Sequence, residues 1–420
     1  MSVTDRAEAE RLDSDDPLAH FRDRFVIDDP ELLYLDGNSL GRLPRRSLER
    51  LRTVVEQEWG RRLIRSWNER WMDLPAHAGD LIGQHLLGAA PGQVVVSDST
   101  SVNLYKLASA ALEARPGRTV IISDRGNFPS DRYVLEGLAT ARGLRLELVE
   151  LDELSGPTVA ALARLLDQRT ALVSLSHVDY RSGALADMAA INAAAHDAGA
   201  LTLWDLCHSA GAVPIELDRS GADLAVGCTY KYLNAGPGAP AFLYVRREHV
   251  KGLRQPIWGW FGQRDQFAMA QGYDPAPDVS RFLVGTPHVL GAALVEEGAA
   301  LLAEAGIGRL RAKGIALTEL LIALYDAWLA PLGLTLASPR DPEARGSHVA
   351  IGHPDAFRIC RALIERAGVI PDFRAPDRIR LGPAPIVTRF TDVWDAMDRL
   401  RTVVSDGVHE TVDPTRARVT

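Results

Sequence analysis

The sequence predicts an α/β protein whose large domain contains a mostly parallel, seven-stranded sheet, followed by a smaller α+β domain. Between about residues 93 and 250, short apolar runs ending in Gly, Ser or Asp alternate with Ala-rich stretches typical of helices. Such continuous apolar runs suit strands buried on both faces, and their alternation with helices indicates a parallel sheet. After about residue 290 longer helical stretches take over.

Each of the seven predicted strands corresponds to one apolar run. The runs are Val94–Ser97, Val120–Ser123, Leu144–Leu151, Ala171–Leu175, Leu201–Trp204, Leu224–Gly227 and Ala241–Val245. In sheets of this kind, ligands bind beyond the carboxyl ends of the strands. We therefore expect the functional residues directly after these runs.

The remaining elements are predicted from composition and turn residues. The first thirty residues suggest a helix and an arm. Tyr34–Gly41 is typical of a short strand entering a turn, and the residues from there to about Trp71 suggest a helix rich in Trp and Arg. Towards the C-terminus we expect helices at Gly291–Gly306, Gly314–Trp328 and Asp392–Val404, and strands at His348–Ile351 and Ile379–Leu381.

These elements predict three parts of the chain. Residues 1–60 would form an N-terminal arm and part of the small domain, 61–290 the large domain, and 291–420 the C-terminal small domain. A chain of 420 residues is too long for one simple core.

Composition excludes several classes of protein. The net charge of −8 is spread over interspersed acidic and basic residues, which argues against a nucleic-acid surface. The three cysteines are far apart in the sequence, so neither a disulfide framework nor a metal site is expected. We see no signal-peptide pattern near residue 1 and no apolar run of the roughly 18–20 residues that a membrane helix needs. We therefore expect a cytoplasmic protein without membrane contact.

Two chemically distinctive residues follow predicted strands. Asp205 ends the strand Leu201–Trp204, and Lys231 lies beyond the strand Leu224–Gly227 among aromatic and apolar neighbours. A lysine in such surroundings is costly unless it is paired or used covalently. A carboxylate at a neighbouring strand end would suit the protonated pyridine nitrogen of pyridoxal 5′-phosphate (PLP).

A third element fits the phosphate of the same cofactor. Asp98-Ser-Thr-Ser101 follows the strand Val94–Ser97 and opens a helix. Backbone N–H groups at a helix start, with hydroxyl groups beside them, bind phosphate. Each feature alone has a plainer explanation, such as a helix cap or a turn. Together, in this order, they indicate a PLP site.

Five segments carry a closer resemblance: Tyr34–Gly41, Asn127–Asp131, Trp204–His208, Tyr230–Gly236 and Gly259–Gly262. Over nearly the whole chain the sequence resembles PLP enzymes of fold type I (the aspartate-aminotransferase fold, class V branch), and within that branch the kynureninase family. The combination of Tyr-Lys-Tyr-Leu-Asn-Ala-Gly with Gly-Trp-Phe-Gly is the most specific part of this match.

The resemblance implies a role for each site residue. Lys231 would bind the cofactor covalently, Asp205 would pair with its ring nitrogen, and Tyr230 would be a proton-donor candidate. Phe128 would stack on the ring. Further cofactor contacts would come from Thr100, Ser101, Pro129, Ser130, Asp131, Ser176, His208 and Tyr230, with Trp260 and Thr286 reaching the phosphate from the second subunit of a homodimer.

Three residues would contact the substrate. Arg380 would clamp the α-carboxylate, although Arg378 and Arg389 lie nearby in the sequence, and Trp67 and Gly285 would face the aromatic ring. Each of four residues also has a plainer interpretation as a packing residue: Phe128, His208, Trp260 and Trp67.

The implied activity is hydrolysis of L-kynurenine to anthranilate and L-alanine, in tryptophan degradation and NAD biosynthesis. At Trp67 and Gly285 the sequence is similar to the bacterial members, whereas the animal enzymes carry a histidine and a Ser-Asn pair in this region. It therefore predicts weaker use of L-3-hydroxykynurenine.

Three alternatives remain at this point. An aminotransferase of the same branch is possible on the residues alone, and so is a catalytically silent PLP-binding protein, against which intact Lys231 and Asp205 argue. A cysteine desulfurase would need a nucleophilic cysteine on a mobile loop, whereas Cys360 lies in a predicted helix.

Overall fold

A computed structural model describes residues 3–413 and 415 of the chain and has the predicted α/β architecture. The ends of the first and last predicted parts, residues 1–2, 414 and 416–420, lie outside the described residues. The strands are β1 (Leu33–Tyr34), β2 (Val94–Val96), β3 (Val120–Asp124), β4 (Arg145–Val149), β5 (Thr170–Ser176), β6 (Leu201–Asp205), β7 (Leu224–Gly227), β8 (Phe242–Val245), β9 (Thr335–Leu336), β10 (Val349–Gly352), β11 (Val369–Ile370), β12 (Asp372–Arg374) and β13 (Arg378–Leu381).

The large sheet contains a strand for each of the seven predicted runs. Its order is β2-β8-β7-β6-β5-β3-β4. Strand β8 is antiparallel to both of its neighbours, and the other six strands share one direction. The prediction of a mostly parallel seven-stranded sheet is therefore confirmed.

Helices cover both faces of this sheet. Over all the described residues, including those of the second sheet, the α-helices are α1 (Arg6–Ser14), α2 (Arg45–Thr53), α3 (Leu74–Leu86), α4 (Thr100–Glu113), α5 (Pro129–Arg142), α6 (Val159–Leu162), α7 (Met188–Asp197), α8 (Leu217–Ser220), α9 (Arg247–Val250), α10 (Val289–Ala305), α11 (Ile307–Leu324), α12 (Ala356–Arg366) and α13 (Phe390–Ser405). Alternate strand residues belong to different cores. Val94 and Val96 pack in one core with α3, α7 and α10, whereas Val95 packs in another with α4 and α5. This double burial explains why the strands are continuously apolar.

A second, antiparallel sheet of order β12-β13-β10-β9 lies towards the C-terminus. Its core combines α11, α12 and α13 with Leu33 and Leu35 from the N-terminal segment, and β1 pairs with β11. The short strands β9, β11 and β12 have only two or three residues each, so their alternation is too brief to be read from sequence.

Two regions differ from the expectations. The helix expected up to Trp71 is interrupted, because Leu63 has a φ of 56°, and the π-helical segments Val54–Arg62 and Trp67–Trp71 lie on either side of it. In addition, the helical stretch Ile307–Leu332 is long and apolar enough, with a mean hydropathy of 1.5, to cross a membrane by length and composition alone. However, 44% of that window is buried in the protein, and α11 packs against α10 and α13.

Candidate active site

A cavity of about 570 Å³ opens at the carboxyl ends of the parallel strands. Asp205 ends β6, Ser176 ends β5, and Asp98 follows β2, and all three side chains line the cavity. This is the place where a parallel sheet is expected to bind its ligand. The cavity lining includes twelve of the sixteen predicted site residues: Thr100, Ser101, Phe128, Ser130, Asp131, Ser176, Asp205, His208, Tyr230, Lys231, Gly285 and Thr286.

One end of the cavity is the start of α4. Ser99 caps this helix by accepting a hydrogen bond from the Val102 N–H at 3.4 Å, and Thr100 and Ser101 form its first turn. Asp98, just before the cap, has a φ of 46°, which turns the chain sharply from β2 into the helix. The free N–H groups of a 14-residue helix and the neighbouring hydroxyl groups can bind a phosphate here.

Asp205 lines the cavity and is held by two hydrogen bonds. It is 7% exposed, and its Oδ1 accepts a hydrogen bond from the Cys207 N–H at 2.6 Å. Its backbone carbonyl accepts from the His177 N–H at 2.9 Å. These bonds fix the carboxylate at the strand end, where it can pair with a cationic ring nitrogen.

Lys231 lies in the turn after β7, and the N-terminal segment supports this turn. The Gly41 N–H donates to the Tyr230 carbonyl at 2.8 Å. A Cβ on Gly41 would lie 2.3 Å from the Lys231 carbonyl oxygen, so this close approach requires glycine. The resemblance included Gly41, but its contact with the lysine turn could be found only in the structure.

Phe128 lies beside Lys231 at the start of α5. The Lys231 Nζ is 6.0 Å from the centre of the Phe128 ring. The Asn127 Oδ1 accepts from the Phe128 N–H and from the Ser176 hydroxyl, both at 2.7 Å. This network connects the phenyl ring to the end of β5, and Pro129 begins the helix behind it.

Two cavity-lining residues have buried polar atoms without a hydrogen-bond partner in the part of the chain that is described. They are the Nδ1 of His208 and the Oδ2 of Asp131. Burial, together with the nearby charge of Lys231, lowers the pKa of His208 well below its usual range. Burial and the adjacent Asp205 raise the pKa of Asp131. A polar ligand in the cavity would satisfy both atoms.

Four predicted residues lie outside the cavity lining: Pro129, Trp67, Trp260 and Arg380. Trp67 packs against Trp71 and Phe261, with ring centres 5.3 and 5.9 Å away. Trp260 is 44% exposed and contacts Phe261. Within one chain, neither tryptophan reaches the cavity.

Arg380 is completely buried in β13 and contacts a cavity-lining residue without lining the cavity itself. Its guanidinium donates to the carbonyl of Tyr180, which lines the cavity, and to Ser39 and Asp372. Burial lowers the pKa of Arg380 to about 10. The other two arginines are engaged elsewhere: Arg378 pairs with Glu153 and Asp377, and Arg389 with Asp392.

Sequence reasoning missed several cavity residues. Tyr180 packs edge-on against Phe128 with ring centres 5.2 Å apart, and Cys207, Asp98 and His288 also line the cavity. Asp98 and Cys207 lie inside recognised segments, but Tyr180 and His288 lie in loops without a distinctive local pattern. No group of three or more His, Cys, Asp or Glu side chains in the described ranges is arranged to hold a metal ion.

The donor set fits PLP. The cavity combines a helix N-terminus for a phosphate, a carboxylate for a ring nitrogen, an aromatic ring, a lysine amine and two polar atoms that lack partners. The fold and this site define a PLP-dependent enzyme of fold type I.

Solved structures agree with this class. The chain superposes with a TM-score of 0.77 on a mutant of C-DES that has glycine covalently linked to the PLP cofactor, at 19% identity over 89% of this chain and 97% of that one. A cysteine desulfurase from Escherichia coli gives the same TM-score at 19% identity, over 94% and 99% of the two chains. At this level of identity, the likeness concerns the fold.

Sequence relatives are much closer. A kynureninase from Pseudomonas fluorescens is 45% identical over 406 residues, which is 95% of each chain. A kynureninase from Burkholderia pseudomallei is 44% identical over 421 residues, 99% of each chain. The family described as "Kynureninase C-terminal domain" matches residues 310–400. The chain belongs to the kynureninase family, as its motifs indicated, and its cofactor is PLP.

Proposed function

We propose that this enzyme hydrolyses the bond between the β and γ carbons of L-kynurenine and releases anthranilate and L-alanine. The observation that carries this proposal is the near full-length match to kynureninases, together with a cavity in which Lys231, Asp205 and Tyr230 meet. L-3-hydroxykynurenine would be a weaker substrate. Its extra hydroxyl group would have no acceptor at Gly285, which has no side chain.

The proposed cofactor contacts follow the cavity. PLP, when bound, withdraws electrons from the α-carbon of the substrate and so allows the bond between the β and γ carbons to break. The first turn of α4, with Thr100 and Ser101, would bind the phosphate, and Phe128 would pack against the ring. Asp205 would hold a proton on the ring nitrogen. The remaining contacts would come from Pro129, Ser130, Asp131, Ser176 and His208.

Two side chains would move protons. Lys231 would take the α-proton of the substrate on its Nζ. Burial raises the pKa of Tyr230, so its hydroxyl group keeps its proton at neutral pH and can donate it from Oη. Burial and the adjacent Asp205 raise the pKa of Asp131, which favours the uncharged form of this carboxyl group beside Asp205.

Arg380 would bind the substrate α-carboxylate. Its Nη atoms already have partners, and its buried Nε has none among the described residues. A bidentate clamp would therefore require the carboxylate to compete with Asp372 or the Tyr180 carbonyl. Arg380 remains the proposed clamp because it alone of Arg378, Arg380 and Arg389 bonds to the carbonyl of Tyr180.

We also propose a cytoplasmic homodimer with shared active sites. Apolar side chains are exposed on the segments that hold Trp67 and Trp260: Ile64 is 76% exposed, Trp258 61% and Met269 73%. Exposed apolar patches of this kind mark protein interfaces. In the dimer, Trp260 and Thr286 would reach the phosphate of the neighbouring site, although Thr286 also lines the cavity of its own chain, and Trp67 would face the substrate ring there.

Mixed dimers test this sharing. Co-expression of the inactive variants Lys231→Ala and Trp260→Ala should restore part of the activity, because one of the two sites in a mixed dimer is intact. If mixed dimers form and no activity returns, Trp260 acts within its own subunit.

The domain division remains part of the proposal: residues 1–60, 61–290 and 291–420. The packing of Leu33 and Leu35 with the C-terminal helices supports a small domain built from both ends of the chain. Helix α10, which spans the second boundary, packs on α2 and α3 and would bridge the two domains.

Two measurements separate the proposal from its alternatives. The purified enzyme with PLP should convert kynurenine to anthranilate without any keto acid, whereas an aminotransferase would depend on one, and a silent binding protein would form no product. Borohydride reduction followed by peptide mass spectrometry should place the pyridoxyl group on Lys231. A label on another lysine would refute the site assignment.

A further inference from the structure

Lys106 lies within α4 and is completely buried. Burial lowers the pKa of its amine, and the neighbouring Asp98 opposes this shift and favours the charged form. Its ammonium donates three hydrogen bonds: to the Asp98 Oδ2 at 2.7 Å, the Ser97 hydroxyl at 3.2 Å and the Phe282 carbonyl at 2.7 Å. A buried ammonium is costly unless each of its N–H groups has a partner, and here each one does. No cofactor or substrate contact predicted for this chain involves Lys106.

The three acceptors belong to two walls of the cavity. Ser97 and Asp98 form the turn that leads into the first residues of α4, where the phosphate would bind. Phe282 directly precedes the segment Leu283–Thr286, which lines the cavity as well. One side chain therefore connects the proposed phosphate turn to the segment that carries Gly285 and Thr286.

The contact with Asp98 also has an electrostatic consequence. The Asp98 carboxylate lines the cavity close to the start of α4, and its side chain is 31% exposed. An unpaired carboxylate there would repel a phosphate group. The ammonium of Lys106, 2.7 Å away, offsets that charge from the buried side of the turn.

We propose that Lys106 is a positioning residue: it holds the Leu283–Thr286 segment against the phosphate turn and neutralises Asp98 beside the phosphate. The part of this inference that concerns substrate rests on the proposed function, whereas the part that concerns PLP affinity does not. Lys106 does not itself line the cavity, so its removal should weaken the binding of both PLP and substrate and alter the chemical step little.

The chain provides a matched control. Lys313 is also buried, at 7% exposure, and its Nζ lies 2.6 Å from the Asp16 Oδ2, but neither residue lines the cavity. Lys106→Met and Lys313→Met both remove a buried charge from an ion pair while keeping a long side chain. Both variants should therefore lower the melting temperature, and only Lys106→Met should affect ligand binding.

The experiment measures PLP Kd by titration of the apoenzyme, and KM and kcat for kynurenine at saturating PLP. For Lys106→Met we expect both Kd and KM to rise at least about tenfold and kcat to stay within about threefold, because a charged hydrogen bond is lost away from the reacting atoms. For Lys313→Met both constants should stay within about twofold. If Lys106→Met does not fold, Lys106→Gln, which keeps one N–H donor group, takes its place with the same expectations.

A second variant separates the two roles. Lys106→Met/Asp98→Asn removes both charges, so PLP affinity should recover towards the wild-type value while KM stays raised. If Lys106→Met loses stability as Lys313→Met does but keeps its Kd and KM within about twofold, Lys106 is only a core residue and the proposal is overturned. A wild-type enzyme that binds PLP but does not cleave kynurenine would refute the proposed function, and the Kd comparison would still test Lys106.

Discussion

Replacing Asp205 by alanine should cost at least about a hundredfold in kcat. The carboxylate is 7% exposed at the end of β6, in contact with the backbone N–H of Cys207. If it pairs with the cationic ring nitrogen of PLP, the variant leaves a buried charge without its partner. Such a loss typically costs about 3–5 kcal/mol. At about 1.4 kcal/mol per tenfold in rate, this corresponds to a factor of a hundred or more.

Asp223→Ala is the matched control for this prediction. Asp223 is a buried aspartate beside the same sheet, 3% exposed, but it precedes β7 and so lies at the opposite edge from the cavity. Its carboxylate accepts hydrogen bonds from the Thr202 N–H, His196 and His249. The control should lower the melting temperature and leave kcat within about threefold of the wild type.

The assay follows anthranilate fluorescence under PLP and kynurenine saturation, with the PLP content of each variant determined by absorbance. Near wild-type kcat for Asp205→Ala would show that Asp205 only stabilises its turn. An equal loss of kcat in Asp223→Ala would mean that both variants act through stability, which would also refute the argument.

Three further predictions concern the substrate and pH. Arg380→Lys keeps the charge but loses the planar guanidinium, so KM for kynurenine should rise at least about tenfold, whereas the control Arg378→Lys should leave KM unchanged. Similar KM values for the two variants would show that Arg380 does not bind the substrate. The kcat/KM for kynurenine should exceed that for 3-hydroxykynurenine at least about fivefold, because an unpartnered hydroxyl group costs roughly 1–3 kcal/mol. The double variant Trp67→His/Gly285→Ser should reduce this ratio, since a Cβ at Gly285 meets nothing within 4 Å. Equal kcat/KM values for the two substrates in the wild type would contradict the predicted preference. The hydrogen bond to Asp223 raises the pKa of His196, so the stability that protonated His196 contributes is complete below the unfolded pKa of about 6.5 and is lost as pH rises through the higher folded pKa. In urea unfolding, His196→Ala should therefore lower the free energy of unfolding more at about pH 5.5 than at about pH 9. A larger loss at about pH 9 would refute the predicted direction of the pKa shift.

The large sheet could be predicted from sequence because both of its faces are buried. Val94–Val96 and the equivalent runs are continuously apolar. Asp205 directly follows one such run, and Lys231 lies four residues beyond the end of another, Gly227. The fold then fixes where these residues meet, because parallel strands end at one edge of the sheet. Local pattern and topology were therefore enough to place the lysine, the aspartate and the helix start in one cavity.

Contacts between distant segments could not be predicted in this way. Tyr180 enters the site from a loop, and its position depends on Arg380, which is 200 residues away in the sequence. The sequence around Lys106 is typical of an ordinary helix, and the burial of this lysine becomes clear only from its hydrogen bond to the Phe282 carbonyl. Strands β9, β11 and β12 depend on their partners rather than on their own two or three residues. Such features follow from tertiary packing, which one sequence does not encode locally.

The central claim, that the cavity around Lys231 cleaves kynurenine, is tested most directly by product stoichiometry. Purified wild-type enzyme with PLP and kynurenine, without a keto acid, should release anthranilate and L-alanine in equal amounts. Lys231→Ala, measured in parallel, should release neither. Anthranilate formation by Lys231→Ala at the wild-type rate, or no anthranilate from a wild-type enzyme that has bound PLP, would contradict the account.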